Sequence, residues 1–170
     1  MFKGMSIVAA VLIGCGSANA QSGTCQRPEK EQFGFWAGEW SLTWQNQEGE
    51  TKNGTNHVEW ILDGCVLQES FEDPTGGMVG KSWSVYDPAS GKWKQTWVDN
   101  QGSYLDFVGE RRDGRMALER EAVVEGKSRR QRMTFYNITQ DSLDWDWEGS
   151  SDGGATWKLA WRIHYVRKKS

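Results

Sequence analysis

The 170 residues of the chain are enough for one domain, and the net charge is only −3, with Lys, Arg, Asp and Glu mixed along the whole length. That balance excludes the basic stripe of a nucleic-acid surface and an acidic tail. Eleven Trp against a mean hydropathy of −0.71 point to half-polar strands with aromatic inner faces, since each buried aromatic removes about 150–250 Å² from water.

The chain opens with Lys3, an apolar run over residues 7–13 and the small residues Ala18-Asn19-Ala20 before Gln21. The run is too short to cross a bilayer, so residues 1–20 read as a secretory signal peptide. Leu12-Ile13-Gly14-Cys15 also resembles the bacterial lipobox, which leaves a second outcome open, a lipid anchor at Cys15 and an outer-membrane lipoprotein. Both readings predict export, to the periplasm or medium or to the envelope surface. No other segment is apolar enough to span a membrane. Removal or acylation of Cys15 leaves Cys25 and Cys65. An even pair in an oxidising compartment predicts a disulfide, and no C-x-x-C spacing supports a redox-active pair.

Residues 21–32 form a polar arm, and Pro28 to Gln32 open one short helical turn. The single folded domain is expected over residues 33–168. Five aromatics fall in Phe33-Gly34-Phe35-Trp36-Ala37-Gly38-Glu39-Trp40-Ser41-Leu42-Thr43-Trp44, with Trp40, Leu42 and Trp44 alternating with polar residues as in a half-buried strand. A polar turn is expected over residues 46–54, then strands over 56–62 and 65–71, joined by Asp63-Gly64. Further strands follow at 80–86, 92–99, 103–110, 115–122, 129–136, 142–149 and 157–166, separated by Gly, Asp, Asn and Pro turns. About ten short hairpin-linked strands, with no helix to cover a sheet, predict an all-β antiparallel up-and-down barrel, because closure removes the edges.

Gly38-Glu39-Trp40 resembles the G-x-W that opens the first strand of lipocalins and other calycin barrels. The resemblance implies that Trp40 packs across the closed end beneath an Arg near the last strand, either Arg162 or Arg167. Ser150-Ser151-Asp152-Gly153-Gly154-Ala155-Thr156-Trp157 matches the Asp-box pattern of sialidase propellers. A propeller needs several copies and the chain has one, so Ser150, Asp152, Gly154, Thr156 and Trp157 read as a rigid structural turn, with a calcium or sugar contact at Asp152 as the alternative.

A longer series runs from Gly80-Lys81-Ser82 through Tyr86-Asp87-Pro88, Gly91-Lys92-Trp93-Lys94-Gln95-Thr96-Trp97-Val98-Asp99, Asp113-Gly114-Arg115-Met116, Arg132-Met133-Thr134 and Trp147-Glu148 to the Asp-box turn. It resembles the domain-of-unknown-function family 1579, bacterial proteins with a W-x-Q-x-W-V-D core, over about residues 25–167. The resemblance implies a calycin-like barrel and no particular activity. Trp161-Arg162-Ile163-His164 departs from the family's usual pattern.

The polar residues set among apolar strand faces are the candidate site. Glu69 shares a face with Leu67 and Phe71, and Gln95 with Trp93 and Trp97. Such groups are costly inside a barrel unless partnered. One reading is a structural ion pair or hydrogen-bond network. The other is a pocket with Glu69, Gln95, Asp99 and Arg132 as polar floor and Trp60, Trp97 and Trp147 as aromatic lining. Nucleophilic catalysis lacks a placeable Ser-His-Asp set, zinc lacks ligands, and His164 is expected in solvent, which disfavours haem. No cofactor or metal is expected. The function expected is non-enzymatic binding of a small, partly apolar ligand. An enzyme using Glu69 as general base and a filled structural or partner-binding barrel are the alternatives.

Overall fold

The computed structural model describes Cys25 and residues 29–169; the expected leader, Cys15 and the rest of the arm before residue 29 lie outside the described residues. A short helix, α1 (Glu29–Gly34), precedes ten strands: β1 (Gly38–Gln45), β2 (Thr51–Ile61), β3 (Val66–Asp73), β4 (Met78–Asp87), β5 (Lys92–Asp99), β6 (Tyr104–Arg112), β7 (Arg115–Val124), β8 (Lys127–Tyr136), β9 (Ser142–Ser150) and β10 (Lys158–Arg167). Each strand pairs antiparallel with its sequence neighbour, and β1 also pairs with β10, so the sheet closes on itself. The all-β, ten-stranded, up-and-down barrel expected from the hairpin spacing is the architecture observed.

Burial follows the alternation. In β1, Trp40, Leu42 and Trp44 are buried while Glu39, Ser41, Thr43 and Gln45 are exposed. The turn after β1 is shorter than residues 46–54. Asn46 accepts the Glu50 N–H on its side-chain oxygen at 2.8 Å, and its own N–H donates to the Glu50 carbonyl at 3.0 Å, so the hairpin closes there and β2 begins at Thr51. Gly54 then lies inside the strand, where a Cβ would come within 3.0 Å of the Trp44 ring and 2.7 Å of the Glu72 carbonyl oxygen. That glycine serves a close approach rather than a turn. The β6–β7 and β7–β8 hairpins turn through Asp113-Gly114 and Glu125-Gly126, all four with positive φ, the geometry whose twist matches the flanking strands.

One end is plugged. Phe33 stacks on Trp36 with ring centres 5.3 Å apart and meets Trp93 and Phe135 edge-on at 5.4 and 5.3 Å. Beside the plug, Arg167 resolves the choice left open with Arg162. Its guanidinium lies 4.1 Å from the Trp40 ring centre and donates to the carbonyls of Ala37 at 2.7 Å, Phe35 at 2.9 Å and Gln140 at 2.7 Å. Gly38 makes room for it: a Cβ there would meet Arg167 Nη1 at 2.1 Å, and the backbone sits at φ 137°, a conformation open to glycine alone. Arg162 instead forms a two-bond pair with Asp146 on the outer surface. Cys25 and Cys65 are disulfide-bonded with Cα atoms 4.9 Å apart. The bridge ties the arm before α1 to the turn just ahead of β3.

Candidate functional site

The barrel interior is hollow toward the unplugged end. Trp36, Phe135, Ile163 and Tyr165 floor a cavity of about 290 Å³; Phe71, Trp97, Phe107, Met133, Trp145, Trp147 and Trp161 wall it, and Met78, Asp99, Gln101, Ser103 and Leu105 stand at its mouth. Beside the cavity, β4 carries small residues on its inner face. Its inward positions are Gly80, Ser82 and Ser84, all buried and all small. The Trp97 ring lies across Gly80 so closely that a Cβ there would meet it at 2.1 Å.

Glu69 is the buried charge of the site. Its Oε1 accepts from the Asn56 amide at 2.6 Å, and its Oε2 accepts from the Ser82 hydroxyl at 2.6 Å. Ser82 in turn accepts from the Gln95 amide at 2.8 Å, and Asn56 also reaches the Tyr165 hydroxyl at 3.4 Å. Among the described residues no basic side chain pairs with Glu69. Burial pushes its carboxyl up to about 7, against the smaller opposing effect of the Ser82 and Asn56 hydrogen bonds. Burial and the nearby Glu69 likewise hold the Tyr165 hydroxyl well above its ordinary range. Around this network, Gln95 Oε1 and the Trp36 indole N–H, both on cavity-lining residues, are buried and make no protein hydrogen bond among the described residues.

Five of the seven residues picked from the sequence line the cavity: Glu69, Gln95, Asp99, Trp97 and Trp147. Asp99 acts at the mouth, accepting from the Trp97 indole at 3.0 Å and from the backbone N–H groups of Gln101 and Ser103 at 2.9 and 3.0 Å. It therefore fixes both the last turn of the mouth and the Trp97 ring. Trp60 faces inward at the plugged end, under Lys30 at 4.7 Å, where it borders a separate pocket of about 150 Å³ beside the disulfide.

Arg132 is not part of the floor. It points outward, bonded through Nε to Glu148 at 2.9 Å and stacked 4.0 Å from the Trp157 ring centre, and it borders a groove of about 840 Å³ on the outer wall. Met133 and Phe135 take the inward positions of β8, so Arg132 and Thr134, which alternate with them, face out. Thr134 is nevertheless buried, beside the outer pairs Arg132–Glu148 and Arg162–Asp146. With three consecutive residues buried, composition does not reveal which parity faces the core.

The Asp-box turn is built as a rigid unit. The Asp152 carboxylate accepts from the Ser150 hydroxyl at 2.7 Å, the Thr156 N–H at 2.9 Å and the Thr156 hydroxyl at 2.6 Å, while Gly153 and Gly154 have positive φ. Both carboxylate oxygens are occupied, and the Thr156 hydroxyl leads in holding the carboxyl well below its usual range. Among the described residues no cluster of His, Cys, Asp and Glu suits a metal ion. His164 is exposed beside Asp144, with 2.7 Å between Nδ1 and Oδ1.

Sequence reasoning missed Asn56, Ser82 and Tyr165. Asn56 alternates with Val58 and Trp60, and Tyr165 with Trp161 and Ile163, so a strict period-of-two reading of β2 and β10 finds both. Ser82 was masked by Trp83, whose outward ring, held by Gln68 at 3.1 Å, suggests the wrong inner face for β4. No known family model matches the chain, and no curated protein matches it.

Proposed function

We propose that the protein is an exported, non-enzymatic envelope protein that holds one small, partly apolar molecule in the open end of its barrel. The observation that carries this is a hollow cavity of about 290 Å³ walled by the indoles of Trp97, Trp145, Trp147 and Trp161, with the polar residues Glu69 and Gln95 among its lining. An aromatic ligand burying about 200 Å² gains roughly 5 kcal/mol from desolvation. The leader-like residues 1–20 support export. Kinship with family 1579 belongs to the same proposal: its W-x-Q-x-W-V-D core is β5, and Gln95, Trp97 and Asp99 of that strand line the cavity.

Calorimetry and indole fluorescence with a panel of single-ring aromatics and short-chain amphiphiles test the reading. One site per chain is expected, and Leu105→Trp at the mouth is expected to weaken binding at least tenfold without lowering the urea midpoint. No heat and no emission change across the panel, or unchanged affinity in Leu105→Trp, rejects it.

Glu69 favours a second reading. A carboxyl without a cationic partner, titrating near neutrality in a largely apolar cavity, is equipped to exchange a proton as a general base. Recovery of the bound molecule after long incubation separates the two: unchanged ligand supports binding alone, and conversion that Glu69→Gln abolishes supports catalysis.

A further inference from the structure

The cavity lining is one-sided in charge. Glu69 and Asp99 line it, and among the described residues no Lys, Arg or His does. Asp99 accepts three N–H hydrogen bonds, from the Trp97 indole and from the Gln101 and Ser103 backbone, a pattern that favours the ionised carboxylate. The chain as a whole carries 20 Lys and Arg against 23 Asp and Glu. A lining with acids and no bases is therefore a property of the site and not of the composition.

The rest of the lining is rich in π surface. Trp97, Trp145, Trp147 and Trp161 are half-buried and line the cavity. The Trp145 and Trp147 rings lie within 11° of parallel with centres 6.4 Å apart, and Trp161 meets Trp145 at 88° and 5.7 Å. Indole faces therefore stand in two nearly perpendicular directions. Such a face carries negative potential and attracts a cation, more strongly where water is excluded. Elsewhere in the molecule indoles are met by the protein's own cations: Lys30 lies 4.7 Å from the Trp60 ring centre, Arg132 4.0 Å from that of Trp157 and Arg167 4.1 Å from that of Trp40. Among the described residues no Lys or Arg stacks on the four cavity indoles. Arg120, 5.8 Å from the Phe107 ring centre, borders the outer groove and not the cavity.

We propose that the molecule held in the cavity is an organic ammonium ion with an apolar body, its charged head among the indoles of Trp97, Trp145, Trp147 and Trp161 in the field of Glu69 and Asp99, an inference that rests on the cavity reading above. The head need touch neither carboxylate, because attraction between opposite charges reaches beyond contact where water is excluded. An anion of the same shape meets π faces and carboxylates of its own sign. Glu69 makes the affinity pH-dependent. Facing it are Asn56 on β2 and Ser82 on β4, with Gln95 of β5 behind Ser82, none of which titrates, and on β10 the Tyr165 hydroxyl, which burial keeps neutral. The Glu69 carboxyl titrates at about 7, so the cavity gains negative charge as pH rises through that value, and affinity for a cation rises with it.

The test is calorimetry with phenyltrimethylammonium, 2-phenylethylammonium, 2-phenylethanol and phenylacetate on the wild-type protein, Glu69→Gln and Asp99→Asn at pH 5 and pH 8. At pH 8 the two ammonium probes are expected to bind the wild type at least about tenfold tighter than the alcohol, and phenylacetate more weakly than the alcohol. The readout is the ratio of phenyltrimethylammonium to 2-phenylethanol affinity, since lost folding lowers both. At pH 8 Glu69→Gln lowers that ratio at least about threefold, and in the wild type it falls at least about threefold from pH 8 to pH 5, although the charge of the quaternary probe does not change. The second comparison needs no variant and decides the matter even where Glu69→Gln fails to fold. Asp99→Asn lowers the ratio at both pH values. Alcohol or phenylacetate binding to the wild type as tightly as the ammonium probes, or a ratio that is the same at pH 5 and pH 8, overturns this inference and leaves the cavity reading standing. Binding of none of the four probes overturns both.

Discussion

Replacing Glu69 by Gln is the sharpest probe of the interior. In the folded barrel the Glu69 carboxyl is pushed up to about 7 by burial, against an ordinary value of 4.5. The folded state therefore holds a proton that the unfolded chain has already released between these two values. Below about pH 4.5 both states are protonated and there is no penalty. Between about pH 4.5 and 7 the unfolded chain ionises while the folded barrel keeps its proton, so stability falls by roughly 3 kcal/mol in total and levels off above 7. Gln keeps the shape and an acceptor for Asn56 but never ionises. It gives Ser82 an N–H donor in place of an acceptor oxygen, at a cost of about 1 kcal/mol at all pH values. Glu69→Gln is then slightly less stable than wild type at pH 5 and more stable by about 2 kcal/mol at pH 8. Urea unfolding followed by indole emission at both pH values measures this. Two stability profiles that stay parallel within about 0.5 kcal/mol from pH 5 to pH 8 would refute the argument that Glu69 is desolvated and unpaired.

Three further outcomes follow from the geometry. Gly38→Ala forces a Cβ onto Arg167 at a φ reserved for glycine, and urea unfolding should show a loss of at least about 2 kcal/mol; a loss under half that value contradicts the packing described. Replacing Cys25 and Cys65 together by Ser releases a loop spanning a sequence separation of 40, and a loss of about 4 kcal/mol is expected in denaturant titrations. Arg132→Leu breaks a partly exposed pair with Glu148 on the outer wall, so stability should drop by only about 1 kcal/mol while affinity for any cavity ligand stays within twofold; a large affinity loss would return Arg132 to the site.

The fold was legible because each of its signals is local. Trp40, Leu42 and Trp44 declare an inner face by a period of two, Asp113-Gly114 declares a hairpin, and strands joined only by hairpins have one economical way to hide their edges. The Cys25–Cys65 bridge was legible as the even pair that remains if residues 1–20 are read as a leader. Glu69 and Gln95 were legible for the same reason, as polar residues in register with apolar ones. Three matters were decided only by tertiary structure. Which parity of β8 faces inward depends on what covers Thr134 from outside, and that cover comes from β9 and β10. Whether the interior is hollow depends on how far the inward side chains of all ten strands fill the ring, a sum of volumes that no single strand contains. Where the barrel wall parts depends on the ladder between β6 and β7, which runs only from Val108 opposite Glu119 to Arg112 opposite Arg115. Side-chain alternation is a property of one strand, whereas enclosed volume and seams are properties of the closed ring.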